Sequence, residues 1–192
     1  PYISFDHVSF HYPRGGDVLH DISFTANRGE TVGIIGGTGS GKTTLVNLIP
    51  RYYDATGGEV AVDGLDVRAY PDDDLQSMVG YVPQKAVLFR GSIRDNMRWG
   101  KADATDAEIV EAITRAQGED ILRAKGSLDA AVVEGGKNFS GGQRQRLTIA
   151  RALVRKPEIL ILDDSASALD YATDARLRAT IRAAENPPTT FI

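Results

Sequence analysis

The sequence predicts an α/β fold in which an antiparallel β segment leads into a parallel-sheet core interrupted by a helical insert. Three observations predict it. A glycine-rich loop at residues 36–43 stands between a short β-branched run and a helix-like run. The stretch Ile159-Leu160-Ile161-Leu162 is continuously apolar, as expected of a central parallel strand buried on both faces. Between them, residues 92–135 carry helical spacing and glycine punctuation.

Composition narrows the options. The 192 residues suffice for one core, or one core with an appended lobe. With 42% hydrophobic and 25% charged residues, the chain reads as a folded domain and not a disordered one. A formal charge of −4 argues against a general binder of nucleic acid or anionic membranes. The absence of cysteine excludes disulfides and thiolate metal sites and fits a reducing compartment. No apolar run approaches the ~18 residues of a helical span, and no signal peptide is visible, so a membrane role needs another segment or chain. Pro1 opens into strand-like sequence and Ile192 ends in mid-strand pattern, so the chain is expected to be trimmed from something longer.

In chain order, Ile3, Phe5, Val8 and Phe10 nearly alternate, as do Ile22, Phe24 and Ala26. The turn signal Pro13-Arg14-Gly15-Gly16 between them makes residues 2–26 an antiparallel hairpin. Tyr12 stands at the end of the first strand, placed either to stack on a base or to cover core. Thr31-Val32-Gly33-Ile34-Ile35 reads as a buried strand, and Thr44-Leu45-Val46-Asn47-Leu48-Ile49 as the start of a helix.

Gly36-Gly37-Thr38-Gly39-Ser40-Gly41-Lys42-Thr43 lies between these two runs, with two glycines spaced for a phosphate-binding loop followed by Lys and Thr. Glycines let the backbone curl and approach a ligand, and the resulting amide nest holds an anion. Lys42 is expected to reach the β- and γ-phosphates, and the Thr43 hydroxyl to ligate Mg²⁺. The strand and helix on either side are the context such a loop needs, which makes this a triphosphate binder.

Val60 and Val62 before Asp63-Gly64 mark a second hairpin. His7, His11 and His20 show no ligand-like partners in sequence and read as solvated or half-buried. Tyr81-Val82-Pro83-Gln84 ends a strand. Gln84 then lies where ligands bind in open α/β sheets, although a surface Gln is the commoner case. Thr105 to Glu108 is a capping box, with Ile109, Val110, Ile113 and Ala116 at helical spacing behind it. Asn138-Phe139-Ser140-Gly141-Gly142-Gln143 opens a helix through residues 144–155, stopped by Pro157. Ser140 is either a plain N-cap or, with two glycines beside it, part of a second anion-binding device.

The strand at 159–162 delivers Asp163-Asp164, a costly acid pair unless a cation receives it. Asp163 is the expected ligand or orienter of Mg²⁺, and Asp164 is placed to orient the attacking water. Asp170 better suits a capping role. Residues 171–185 read as a helix ended by Pro187-Pro188, and Thr189-Thr190-Phe191-Ile192 as another buried strand.

Together these residues resemble the nucleotide-binding domain of ABC transporters. Residues 36–43 match its Walker A motif, 159–163 its Walker B, and Ser140-Gly141-Gly142-Gln143 its signature, with Phe139 where Leu is commoner. Gln84 matches the Q-loop, Tyr12 the A-loop aromatic and Ser167-Ala168-Leu169-Asp170 the D-loop. Residues 88–96 resemble the exporter version of the segment after that Gln, and Glu134-Gly135-Gly136-Lys137 the exporter X-loop, which in that family touches the membrane domain.

The resemblance implies a P-loop NTPase (RecA-like) core with an N-terminal antiparallel β subdomain and an inserted helical subdomain. The expected division is a β subdomain at about 1–30 and 57–70, an ATP-binding core at about 31–56, 71–84 and 156–192, and a helical subdomain with the signature at about 85–155. It implies an ATPase that binds ATP and Mg²⁺ in a head-to-tail dimer at the cytoplasmic face of the cell membrane. Tyr12 would stack on adenine. The residues from Gly36 to Thr44, Lys42 included, would hold the phosphates. Thr43, Gln84 and Asp163 would hold Mg²⁺, with Asp164, Gln84 and Lys42 catalytic. Ser140, Gly141, Gly142 and Gln143 would cover the partner's ATP. A transmembrane domain upstream in the same polypeptide and a second nucleotide-binding domain are the implied partners, with no nucleic acid.

Two departures from the family pattern matter. Asp164 stands where Glu usually follows the Walker B Asp, and its shorter carboxylate predicts slow hydrolysis at this chain's own Walker site. In the family this marks the degenerate half of a heterodimeric multidrug or peptide exporter, paired with a chain that keeps Glu. The switch His is expected beyond Ile192, so the isolated domain is expected to be a weak ATPase. Two alternatives share these motifs: a soluble ABC-type ATPase, and a nucleotide-gated dimerisation module without a membrane domain.

Overall fold

Burial along the first strand follows the apolar pattern, with Ile3, Phe5, Val8 and Phe10 inward. The three-residue step between Phe5 and Val8 is a bulge, where Asp6 and His7 both face solvent. The computed structural model describes residues 1–37 and 39–192. Its strands and helices in chain order open with β1 (Ile3–His11), β2 (Asp17–Ala26), β3 (Thr31–Val32) and α1 (Lys42–Asn47). Then come β4 (Gly57–Val62), β5 (Leu65–Asp66), α2 (Asp72–Ser77) and β6 (Val79–Val82). The middle of the chain holds β7 (Gly91–Ser92), α3 (Ile93–Arg98), α4 (Asp106–Arg115), α5 (Glu119–Lys125) and β8 (Ala131–Val132). Last are α6 (Gly141–Leu153), β9 (Ile159–Leu162), α7 (Tyr171–Arg182) and β10 (Thr189–Phe191). This is the predicted α/β class, with a four-stranded antiparallel sheet, a parallel sheet and a two-stranded antiparallel pair among the described residues.

The chain folds as two compact units. The first comprises Pro1–Val79, Glu158–Asp163 and Asn186–Ile192. Its antiparallel sheet has the order β2-β1-β4-β5. Ile3 pairs with Ala26 and Val62, and Phe5 with Phe24 and Val60. The Phe5 and Phe24 rings stack at 4.6 Å, the kind of cross-strand aromatic pair that fixes register. At the bulge His7 takes φ 48°, and its ring meets the Asp21 carboxylate at 2.7 Å. Two carboxylates raise the His7 pKa: Asp21, first through its hydrogen bond and then through its charge, and Asp6 through its charge.

Opposite the bulge, Gly58 sits at φ 74°, and a Cβ there would come within 2.2 Å of the His7 carbonyl. Gly58→Ala therefore meets both left-handed backbone strain and a main-chain collision, and should destabilise the protein by about 2–5 kcal/mol. Denaturant unfolding of that variant checks the bulge, and a change below about 1 kcal/mol would mean the backbone relaxes at little cost.

The parallel sheet of the first unit sets β10 between β3 and β9, with Thr190 opposite Thr31 and Phe191 opposite Ile161. All four residues of β9 are buried, as the apolar run predicts. The Met78 carbonyl accepts from the Glu158 and Ile159 N–H groups, so the entry to β6 lies beside β9. One expectation is corrected here: the strand ends at Val32, and Ile35 is fully exposed. Pairing follows the partner strand. The Ile34 N–H still reaches the Ile192 carbonyl at 2.7 Å, and from there the backbone turns into the glycine loop.

The second unit comprises Gly80–Pro157 and Asp164–Glu185. Here α6 packs against α3 and α4, and α4 against α7. The Thr105–Glu108 capping box forms as predicted. Glu108 also receives Lys101 Nζ, and that hydrogen bond is the main cause of its pKa falling to about 2. The insert is not wholly helical, because β7 pairs antiparallel with β8, Gly91 opposite Val132. Two-residue strands are too short to show alternation in sequence. Ser140 caps α6 as one of its two readings has it, and both glycines enter the helix's first turn.

Candidate functional site

In the first unit, the glycine loop opens straight into α1, whose first three residues are Lys42, Thr43 and Thr44. Gly41 caps α1 at φ 97°, and a Cβ there would lie 3.2 Å from the Val18 carbonyl, so both conformation and space call for glycine. Gly36 is half-buried, and Gly37, Gly39 and Ser40 are exposed. Thr38 lies outside the described residues.

Asp163 leaves the end of β9 and meets this loop across 120 residues of sequence. The Thr43 hydroxyl donates to the Asp163 carboxylate, 2.9 Å to Oδ2 and 3.1 Å to Oδ1. A hydroxyl and a carboxylate oxygen at the mouth of a glycine loop form a hard-oxygen donor pair, the kind magnesium takes. These residues fit the ion that the loop's chemistry calls for.

Tyr12 lies just past β1. Its hydroxyl is 2.9 Å from Thr44 Oγ1, on the buried side of α1. The ring stands perpendicular to Phe10 (4.8 Å) and to Tyr53 (5.4 Å). The first unit thus brings together Tyr12, Lys42, Thr43, Thr44 and Asp163.

In the second unit, Ser140 and Gln143 cap each other at the start of α6. Ser140 Oγ accepts from the Gln143 N–H at 3.2 Å, and Gln143 Oε1 from the Ser140 N–H at 2.9 Å. The plain N-cap role is therefore filled by both side chains. Gly142 lies against the segment 167–170, where a Cβ would come 3.3 Å from the Ala168 carbonyl.

Sequence reasoning missed Gln145, which is 5% exposed. Its amide donates to Ser167 Oγ at 3.2 Å and accepts from the Ala168 N–H at 2.9 Å, pinning that segment to α6. The available signal was a polar residue on the apolar face of an amphipathic helix. Asp170 caps α7 as expected, accepting from the Thr173 N–H at 2.7 Å, and that bond holds its carboxyl below the usual range.

Gln84 and Asp164 both belong to the second unit. Gln84 is exposed, two residues beyond β6. Asp164 is exposed and left-handed at φ 49°. Each histidine lies exposed beside an aspartate on the β1–β2 hairpin, His11 and His20 each 3.9 Å from Asp17. No described helix is long and apolar enough to cross a membrane.

A model of the ABC transporter family matches residues 19–167. The chain is 47% identical over 192 residues to YheI of Bacillus subtilis (strain 168), a probable multidrug resistance ABC transporter ATP-binding/permease protein. That match covers 99% of this chain and 33% of the relative. It is 44% identical over 192 residues to NdvA of Agrobacterium fabrum, a β-(1→2)glucan export ATP-binding/permease protein, covering 99% and 32%. A solved bacterial Atm1-family ABC exporter with ATP bound superimposes with a TM-score of 0.91 at 38% identity, over 98% of this chain and 34% of that one. The chain thus spans about a third of the length of these relatives.

Proposed function

This chain belongs to the ABC transporter family as an ATP-binding domain of exporter type, and from that premise we propose that it hydrolyses ATP to power export, closing head-to-tail on a second nucleotide-binding domain. The observation that carries the reading is the Thr43–Asp163 pair, a donor set assembled by a loop and a strand far apart in sequence. In this reading Lys42 and the loop amides from Gly36 to Thr44, Thr38 included, hold the phosphates. Tyr12 stacks on the base. Thr43 and Asp163 would hold magnesium, which when bound offsets charge on the β- and γ-phosphates.

Ser140, Gly141, Gly142 and Gln143 close over the partner's ATP through the N-terminus of α6. ATP gains contacts on both sides only in the closed pair, so nucleotide binding drives closure. Asp164, the water-orienting residue, is one methylene short, which makes this the slow site of a pair whose partner keeps Glu. The ATP-binding/permease relatives, three times as long, support a transmembrane domain in the same polypeptide and a place at the cytoplasmic face of the membrane. The three-part division at about 1–30 with 57–70, 31–56 with 71–84 and 156–192, and 85–155 belongs to this reading.

Sedimentation with ATP and Mg²⁺ tests it. The chain is expected to pair with itself or with a Glu-bearing relative. A chain that stays monomeric in both mixtures contradicts the proposal.

A further inference from the structure

We propose that Tyr53 is a positioning residue for the nucleotide base, acting through Tyr12. The inference rests on the reading of residues 36–44 as the seat of the triphosphate. Tyr12 lies one residue past the last rung of the β1–β2 ladder, which ends at His11 with Asp17, and the turn follows at once. Backbone pairing with β2 therefore does not set the angle of its ring. Side-chain contacts do.

The hydroxyl is tied to Thr44 at 2.9 Å, which fixes one end of the ring and leaves it free to swing about that end. Phe10, at 4.8 Å and 89°, and Tyr53, at 5.4 Å and 90°, stand perpendicular to it and take away the swing. Phe10 and Tyr53 also touch each other, with centroids 5.6 Å apart, so the three rings form one cluster.

The two supports differ in kind. Phe10 is 4% exposed and belongs to the sheet core, so its contact with Tyr12 comes with the fold. Tyr53 is 42% exposed. Core burial does not account for an aromatic ring left nearly half in water, and its perpendicular contact with Tyr12 does.

Tyr53 also arrives from the right place. The turn after α1 is tied back to that helix by the Tyr52 N–H to Asn47 carbonyl bond at 3.0 Å. Ring, turn and α1 therefore hold together, and α1 starts at Lys42 and Thr43. Tyr53 fixes the base platform relative to the phosphate seat, so that one ligand meets both at once. Because every base offers a π-face, the device favours nucleoside triphosphates over base-free polyphosphate.

The test compares Mg-ATP with Mg-tripolyphosphate, which has the phosphates and no base, on the full chain. A perpendicular aromatic pair is worth enough to predict about a threefold to tenfold loss of ATP affinity in Tyr53→Ala, with tripolyphosphate affinity unchanged. Tyr53→Phe keeps the ring and should bind ATP as the unmodified chain does. Unchanged ATP affinity in Tyr53→Ala overturns the proposal. So does an equal loss for both ligands, which marks a purely structural role. A chain that takes up neither ligand overturns the triphosphate reading itself, and this inference falls with it.

Discussion

Replacing Asp164 with Glu in the full-length protein is expected to raise ATP hydrolysis at this chain's own site about 10²-fold. The carboxylate that orients the attacking water must sit within hydrogen-bond reach of it, and Asp ends about 1 Å short of where Glu would place its oxygens. A misplacement of that size accounts for a rate loss of this order. The backbone adds a second, opposing expectation. Asp164 occupies a left-handed conformation at φ 49°, which Asp tolerates better than Glu. The same variant should therefore lose on the order of 1 kcal/mol of folding stability while gaining rate. Steady-state hydrolysis and thermal unfolding, measured on one preparation, separate the two effects. An unchanged rate would refute the water-orienting role of position 164.

Asp163→Ala is expected to lower magnesium-dependent ATP affinity by at least about 10²-fold. Loss of a residue that only supports a metal ligand costs 10–100-fold, and Asp163 is read as touching the ion itself. Its carboxylate also accepts the Thr43 hydroxyl at 2.9 Å, so removing it frees the loop side of the same pair. ATP affinity measured without magnesium should change much less, because Lys42 and the loop amides remain. Equal losses with and without the metal would mean that Asp163 holds the loop in shape and nothing more.

Much of this was legible in the sequence, for identifiable reasons. The bulge at Asp6–His7 is written into the three-residue step from Phe5 to Val8, and β9 into four consecutive apolar residues. The Thr43–Asp163 contact follows from a loop and a strand that each announce themselves by residue type. What was not legible depends on contacts between distant segments. Gln145 stands out in sequence only as a polar residue on the apolar face of a helix; its partners Ser167 and Ala168 are brought to it by packing alone. Tyr53 reads in sequence as one of two adjacent tyrosines, and its partner Tyr12 lies some forty residues earlier, just past the end of β1. The pairing of β7 with β8 joins residues some forty apart through strands of two residues each. Ile35 reads as strand by composition, yet β3 ends at Val32 and the Ile35 side chain is fully exposed.

The most direct measurement is calorimetric titration of the chain with ATP, with and without magnesium. If the Thr43 hydroxyl and the Asp163 carboxylate form the metal's seat beside a phosphate-holding loop, ATP binds one to one and markedly tighter when magnesium is present. No uptake in the presence of magnesium, or the same affinity in its absence, would contradict the account.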